Sequence, residues 1–173
     1  NLVTFPSPND MVAKVSFVNT KGIYGEKRAT NEIEAKAIIK EVERRLKSPE
    51  LRKRSIGIVT FSSVQQDMVD DLLQDFFAKH KDLEKINLES KEPIIVKNLE
   101  NIQGDERDVI LFSVCYGPDK TGVMHYRFGP INNSGGEKRL NVAVSRARYE
   151  MMIFASFEPE LLANMKTESR GAQ

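Results

Sequence analysis

Apolar positions along the chain change repeatedly between strand-like and helix-like spacing. Residues 14–19 form a short, weakly alternating run, whereas residues 55–61 and 94–98 are continuous runs rich in β-branched side chains. Residues 108–116 and 151–156 are two further apolar runs, which gives five predicted strands. Short continuous runs are typical of strands that are buried on both faces, as in a parallel sheet.

Helix-like spacing separates these strands. Asn31 followed by Glu34 predicts a helix N-cap with a reciprocal carboxylate three residues on. The apolar face of this helix continues to Leu46, and Pro49 ends it. A second helix is predicted to end near His80, which we interpret as a solvated helix end and not as a ligand.

The carboxyl-terminal half holds the least regular pattern. Residues 81–92 are polar and predict a surface excursion, and the long loop 117–137 has no role that follows from its sequence. A third helix is predicted to begin near Lys138, and another is predicted to open at Phe157. Positions at i, i+3, i+4 and i+7 are expected to form the buried face of the third helix: Leu140, Ala143, Val144 and Ala147.

Strands that alternate with helices predict an α/β fold with a mainly parallel central sheet. The length of 173 residues fits a single domain, with 40% hydrophobic and 29% charged residues as in soluble globular proteins. Because no apolar run reaches about 18 residues, we expect no membrane span. We interpret residues 1–13 and 167–173 as the cut ends of a domain from a larger protein.

Cysteine content bears on the cellular compartment, and charge bears on nucleic-acid binding. Cys115 is the single cysteine and lies in an apolar run, which predicts a small buried side chain without a disulfide partner, in a reducing, cytoplasmic setting. The net charge of +1 gives no indication of nucleic-acid binding. Local clusters such as 52–54 and 138–139 would have to supply phosphate contacts, although solvated surface is the simpler interpretation of each.

Polar residues follow the second and third predicted strands, and ligands of open α/β sheets bind at the carboxyl ends of strands. Residues 60–65 pass from a strand into a helix N-terminus, where phosphate is favoured, although a plain serine N-cap explains Ser62 equally well. In the connection between the third and fourth strands, Gly104 allows close backbone approach. Glu106 can accept hydrogen bonds from ribose hydroxyls.

The same connection leaves a second chemistry open. Its carboxylates would suit a metal-dependent nuclease: Glu100, Asp105, Glu106 and Asp108. That alternative lacks an acidic-x-Lys partner on a strand, and no histidine lies nearby in the sequence.

Two arginines of the third predicted helix are candidate phosphate ligands. Arg139 and Arg146 are seven residues apart, so a continuous helix would place them on one face, about 10 Å apart along the axis. Planar guanidinium forks suit phosphate oxygens, and an arginine aimed at a γ-phosphate can accelerate its transfer by about 10³–10⁵-fold. A pair of surface salt bridges is the alternative.

Three segments, in this order, resemble motifs of the superfamily 1 helicases. Residues 56–66 (IGIVTFSSVQQ) resemble motif IV of the nonsense-mediated-decay group. Residues 96–114 resemble motif V, with its Gln-Gly-x-Glu-x-Asp centre, and residues 139–148 (RLNVAVSRAR) resemble motif VI. Residues 30–35 resemble the Asn-x-x-Glu-Ala segment ahead of motif IV, so that the likeness extends from about Lys14 to Phe157.

This resemblance implies the second RecA-like domain of an ATP-driven motor, with a three-layer fold of the P-loop NTPase type. ATP would bind in a cleft against a first RecA-like domain, which would supply the phosphate loop and most of the Mg²⁺ ligands. Arg146 would be the arginine finger, and Arg139 would support the phosphates or the contact between the two domains. Gly104 and Glu106 would contact nucleotide, with Gln103 linking nucleotide state to the nucleic-acid track.

The resemblance also implies a path for single-stranded DNA or RNA. Four residues of motifs IV and V would face it: Thr60, Gln65, Lys97 and Asn98. The sequence departs from the family at Leu99-Glu100, where Val-Asp is common, although an acidic group is retained.

The predicted activity of the parent protein is ATP-dependent movement along a single strand. This chain alone is expected to be inactive, since its sequence contains no G-x-x-x-x-G-K-[ST] loop. A RecA-like module that binds partners or nucleic acid without catalysis is the alternative.

Overall fold

Five parallel strands form one sheet in the computed structural model, which describes residues 14–25, 29–124 and 136–157 apart from the side chain of Glu137. In chain order the strands are β1 (Lys14–Asn19), β2 (Ile56–Thr60), β3 (Ile95–Asn98), β4 (Arg107–Ser113) and β5 (Ala147–Ala155). Their order across the sheet is β1-β5-β4-β2-β3, and all four pairings are parallel. The predicted parallel α/β fold is confirmed.

Helices cover both faces of this sheet, as a three-layer fold requires. They are α1 (Glu32–Lys47), α2 (Ser63–Lys79), α3 (Lys81–Leu88) and α4 (Gly136–Val144), with a 3₁₀ turn at Leu51–Lys53. Alternate residues of β4 enter two separate cores: Val109 and Leu111 pack with α1, α2 and α3, whereas Ile110 and Phe112 pack with α4. Full burial of each such side chain stabilises the fold by about 1.5–3 kcal/mol.

The segment 81–92 was predicted as a surface excursion, and this prediction is wrong. Residues 81–88 form α3, which buries Leu83 against the first core, while Asn87 Oδ1 accepts a hydrogen bond from the backbone of Ile94. An eight-residue helix in which half of the residues are charged offers few apolar positions, so its spacing gives a weak signal. His80 ends α2 as predicted and directly precedes α3.

The third predicted helix is shorter than its apolar spacing indicates. It ends at Val144, and Arg146 lies in a turn, while Ala147 is already the first residue of β5. From this point the chain pairs with β4 and no longer continues the helix, and the Arg107 backbone N–H donates to the Arg146 carbonyl at 3.1 Å. Arg139 and Arg146 therefore do not share a helix face, and that part of the prediction is wrong.

Other expectations concern segments that fall partly outside the described residues. The loop 117–137 is described only to Met124, and the helix expected from Phe157 lies beyond the last described residue. Within the described residues, no helix combines the length and the apolarity needed to cross a membrane. Cys115 is buried, as predicted, and forms no disulfide.

Candidate nucleotide and nucleic-acid interface

The predicted site residues divide between two opposite edges of the sheet. Thr60 and Asn98 are the last residues of β2 and β3, so they lie at the carboxyl edge. Glu106 and Arg146 directly precede β4 and β5, so they lie at the amino edge. The general rule that ligands bind at the carboxyl ends of strands does not cover this second pair, because the motif V connection and α4 carry the chain back to where the next strand starts.

At the carboxyl edge, Thr60 and Gln65 are buried and bonded within the domain. The Thr60 hydroxyl donates to the Ser62 carbonyl at 2.8 Å. The Gln65 side chain accepts from the Asn31 N–H at 2.9 Å and donates to the Asn31 carbonyl at 3.1 Å and the Ser113 hydroxyl at 3.2 Å. Neither side chain faces solvent, contrary to the expectation that both face a nucleic-acid strand.

Asn98 is also buried, whereas Lys97 is partly exposed. Asn98 Oδ1 accepts from the backbone N–H groups of Glu100 and Asn101, and its Nδ2 donates to Gln66 at 3.0 Å. It shapes the start of the motif V connection instead of facing outward. The ammonium of Lys97 lies 4.0 Å from an Asp105 carboxylate oxygen, with 36% of the side chain exposed.

Glu34 lies at the centre of a buried polar network that the sequence indicated only in part. Its backbone N–H is capped by Asn31 Oδ1 at 3.1 Å, which confirms the predicted N-cap. The predicted reciprocal bond from the Glu34 carboxylate to the N-cap is wrong. Glu34 Oε1 accepts instead from the Ser113 hydroxyl at 2.6 Å and the Cys115 N–H at 2.7 Å. Burial raises the pKa of Glu34 to about 8, although hydrogen bonds from Ser113, Cys115 and Ser156 act in the opposite direction.

Ser156 completes this network from the end of β5. Its hydroxyl oxygen accepts from Asn31 Nδ2 at 2.7 Å and from the Gly22 N–H at 3.1 Å, and it lies 2.8 Å from the Thr20 hydroxyl. A Cβ at Gly22 would lie 2.2 Å from Asn31 Oδ1, so only glycine fits there. The network joins the ends of β1, β4 and β5 to the starts of α1 and α2. Sequence reasoning had no signal for Ser113 or Ser156.

At the amino edge, the Arg146 side chain is hydrogen-bonded to the end of α4. Its Nε donates to the Val142 carbonyl at 2.9 Å and its Nη2 to the Ser145 hydroxyl at 2.9 Å. Its Nη1 lies 3.9 Å from Glu106 Oε1. Two residues predicted from separate motifs thus meet at this edge, with Glu106 about half exposed. Arg139 lies on α4 itself, half-buried.

Arg148 organises the same edge, although its position in motif VI was not assigned a role. It donates to both carboxylate oxygens of Glu92, at 2.8 and 2.7 Å, and to Asp108 at 3.1 Å. Its Nε lies 3.7 Å from Glu106 Oε2, so Glu106 lies between two guanidinium groups. The hydrogen bond from Arg148, with a further one from Ser55, lowers the pKa of Glu92 to about 2.

The connection between β3 and β4 contains two buried apolar residues, which are followed by two exposed residues. Leu99 and Ile102 pack into the second core, whereas Gln103 and Gly104 are exposed. Gly104 has φ +94°, a left-handed conformation that favours glycine, and a Cβ at this position would meet no atom within 4 Å. Backbone conformation therefore requires this glycine, and the space beside it is open.

The carboxylates of the nuclease alternative do not converge. Asp105 lies near Lys97, and Asp108 accepts from the Ser55 N–H and from Arg148. Within the described ranges, no group of three or more metal-ligating side chains is close enough to hold an ion. The described residues thus give the nuclease alternative no support.

Comparison with known protein families decides the classification. A family model described as "AAA domain" matches residues 4–158. The chain belongs to this AAA-domain family. The match spans all three motif-like segments, and the resemblance to a RecA-like domain of superfamily 1 helicases is confirmed with it.

Relatives of this AAA domain carry helicase names. It is 31% identical over 148 residues to an uncharacterized ATP-dependent helicase of Mycoplasma genitalium, covering 81% of the chain and 12% of that protein. It is 44% identical over 68 residues to the probable RNA helicase armi of Drosophila melanogaster, covering 39% of the chain and 6% of that protein. The chain thus spans only about an eighth of the first relative's length.

Among solved structures, the C-terminal domain of a possible DNA helicase from Lactobacillus plantarum WCFS1 is similar to this AAA domain. The two share 14% identity with a TM-score of 0.47, over 87% of this chain and 78% of that one. Likeness at this distance does not determine function.

Proposed function

We propose that this AAA domain is the second motor domain of an ATP-dependent helicase or translocase, and that Arg146 is its arginine finger. The meeting of Arg146 with Glu106 carries the proposal. These side chains come from two motif-like segments far apart in sequence, and their charged atoms lie 3.9 Å apart at one edge of the sheet. The helicase names of the relatives support the same function.

In the proposed reaction, ATP lies between this edge and a first RecA-like domain. Water attacks the γ-phosphorus and releases a proton to solvent, while the bond from that phosphorus to the β–γ bridging oxygen breaks. The bond's electron pair stays with ADP, so negative charge grows on the bridging oxygen. Arg146 stabilises this charge after its guanidinium leaves the Val142 carbonyl, which holds it at 2.9 Å in the isolated domain. Mg²⁺ would neutralise phosphate charge from the first domain, so this chain is assigned no metal ligand.

Glu106 fits two roles before and during this reaction. While no nucleotide is present, its carboxylate attracts Arg146 and Arg148 and keeps both at the edge. When nucleotide binds, the same carboxylate can accept hydrogen bonds from ribose hydroxyls, and Gly104 allows close approach beside it. Gln103 is proposed to couple this contact to the strand of nucleic acid.

For the nucleic-acid track, we assign direct contact to Lys97 alone among the four predicted residues. Its ammonium is partly exposed and can neutralise a backbone phosphate. Thr60, Gln65 and Asn98 are proposed to act indirectly, because their hydrogen bonds fix the ends of β2 and β3.

The test is ATP turnover by the full-length parent protein, stimulated by single-stranded DNA or RNA in parallel assays. Arg146→Ala is expected to lower kcat by about 10³-fold or more, with a smaller effect on KM, because the lost contact acts on the transition state. Arg146→Lys keeps the charge but loses the planar fork, so it should restore little activity.

Lys138→Ala is the matched control. Lys138 is an exposed cation on α4, eight residues before Arg146, and we assign it no part in the reaction, so its variant should retain parental turnover. Near-parental kcat in Arg146→Ala would refute the finger assignment. Equal losses in both variants would indicate a folding defect of α4 instead.

A further inference from the structure

A cavity of about 500 Å³ opens beside the starts of β1 and β5, next to the end of α1. Four of its seven lining residues are cationic, namely Lys14, Arg44, Arg45 and Arg54. Glu150 is its one acidic lining residue. Glu41 pairs with Arg44 and Arg45, and Glu150 pairs with Arg45, so the remaining excess of positive charge comes from Lys14 and Arg54. Such an excess in a concave surface favours an anionic ligand.

Arg45 gives this cavity a built polar wall. Its side chain is 1% exposed, and its Nε and Nη2 donate to Glu41 at 2.8 Å and Glu150 at 2.7 Å. Its Nη1 is buried and has no hydrogen-bond partner among the described residues. A buried cationic donor without an acceptor costs free energy, so an anion held beside Arg45 would act favourably on this charge.

Arg54 and Lys14 line the cavity from other directions. The Arg54 guanidinium lies 5.2 Å from the centre of the Tyr149 ring, and this cation–π contact orients it. Lys14 is the exposed first residue of the edge strand β1. The cations thus come from a helix end, a loop and a strand, so they approach the open cavity from three different elements.

We propose that this cavity binds a phosphate group, either as free inorganic phosphate or as part of a nucleic-acid backbone. A phosphate offers several acceptor oxygens and up to two negative charges, which suits separate guanidinium and ammonium donors better than a carboxylate does. The proposal rests on this chain's own residues and is independent of the arginine-finger assignment.

The first measurement is the thermal stability and NMR spectrum of the 173-residue chain with added sodium phosphate, against sodium chloride at equal ionic strength. Phosphate is expected to raise Tm more than chloride does and to shift the arginine Nε–H signals of Arg45 and Arg54. If phosphate and chloride act equally on Tm and on these signals, the proposal is overturned.

Variants then locate the site. Lys14→Ala and Arg54→Ala should each weaken phosphate binding by about twofold to fivefold, as expected for one partly exposed charge contact. Lys53→Ala removes an equal charge from a neighbouring exposed side chain, which pairs with Glu50 and does not line the cavity. The affinity of this variant for phosphate should therefore be unchanged. An equal loss in Lys53→Ala would mean unspecific charge attraction and would overturn the site.

A competition experiment distinguishes the two sources of phosphate. If the cavity takes backbone phosphate, a single-stranded oligonucleotide should shift the same arginine signals, and inorganic phosphate should displace it. If the oligonucleotide leaves these signals unchanged while phosphate shifts them, the site takes free phosphate. Arg45→Gln is a further variant whose folding is checked first, since Arg45 is buried.

Discussion

The side-chain amide of Gln65 satisfies both backbone groups of Asn31, accepting from its N–H at 2.9 Å and donating to its carbonyl at 3.1 Å. Asn31 in turn caps α1 and donates to Ser156. Two residues 34 positions apart thereby join the start of α1 to the start of α2. Motif IV therefore contributes an internal brace at the carboxyl edge of the sheet.

Replacement of Gln65 by alanine should destabilise the domain strongly. Each buried group left without a partner costs about 1–3 kcal/mol, and Asn31 would lose a partner for its N–H and Ser113 a donor. Urea unfolding measures the loss. Gln74→Ala, an exposed glutamine on the same helix, should stay within about 0.5 kcal/mol of the parent chain. Equal losses would show that the Gln65 bonds contribute nothing specific.

Glu34 should make stability fall as pH rises. Its pKa is about 8 in the folded chain against the ordinary 4.5, so the folded state binds the extra proton between these values. The contribution is complete below pH 4.5 and is lost as pH rises through 8. The slope can reach about 1.4 kcal/mol per pH unit for one proton.

Glu34→Gln, which cannot titrate, isolates this effect. Urea unfolding from about pH 5 to about pH 9, which brackets the folded pKa, should give a steeper decline for the parent chain than for the variant. Parallel curves would mean that Glu34 does not carry a raised pKa in the folded chain.

Loss of the Arg148 side chain should raise the pKa of Glu92. The fork of hydrogen bonds from Arg148 is the largest cause of the lowered pKa, about 2, so Arg148→Ala should move the pKa of Glu92 back toward 4.5. A lowered carboxylate pKa stabilises the fold above its unfolded value, and this contribution is lost as pH falls from about 4.5 through 2.

An NMR titration of the Glu92 carboxyl carbon measures this shift. Arg44→Ala serves as control, because Arg44 pairs with Glu41 and lies elsewhere. An unchanged Glu92 pKa in Arg148→Ala would assign the lowering to Ser55 and Arg107 instead.

Lys97→Ala should weaken binding of single-stranded DNA or RNA by the full-length protein. Each phosphate contact that is lost should reduce the slope of log affinity against log salt by about 0.7 for a single strand. Lys91→Ala removes the same charge from an exposed position before β3 starts and should leave the slope unchanged. Identical slopes in the parent protein and Lys97→Ala would show that Lys97 does not contact the nucleic-acid backbone.

Local periodicity was enough to predict the strands and the N-cap of α1. Short β-branched runs have few alternatives, and the Asn31 cap involves bonds within three residues. The end of α4 was beyond local reasoning, since the helical spacing continues to Ala147 and only pairing between β5 and β4 decides that Ala147 is a strand residue. Tertiary hydrogen bonds outweigh helix propensity there.

Sequence reasoning named candidate residues for the site but could not give their geometry. Motif order brought Glu106 and Arg146 into one hypothesis, and their charged atoms do lie close together. Burial of Gln65 and Glu34 could not be predicted, because their partners are Ser113 and Cys115, tens of residues away along the chain. Polar residues at a strand end indicate function and structural bracing equally well until their partners are known.

Gly104 allows backbone strain to be separated from ligand contact. Its φ is +94°, and no atom lies within 4 Å of the position that an added methyl group would take. Gly104→Ala should therefore cost about 1–2 kcal/mol of stability from the left-handed backbone alone. Gly122 has φ +82° and equally open surroundings in another loop, so Gly122→Ala should cost a similar amount.

The two variants should differ in the full-length protein. If nucleotide approaches the Gly104 backbone, the added methyl group should raise the KM for ATP in Gly104→Ala, whereas Gly122→Ala should keep the parental KM. Steady-state ATPase kinetics at a temperature where both variants are folded provide the measurement. Equal KM values would show that Gly104 serves only the turn, and the nucleotide would then have to approach the edge through Glu106 and Arg146.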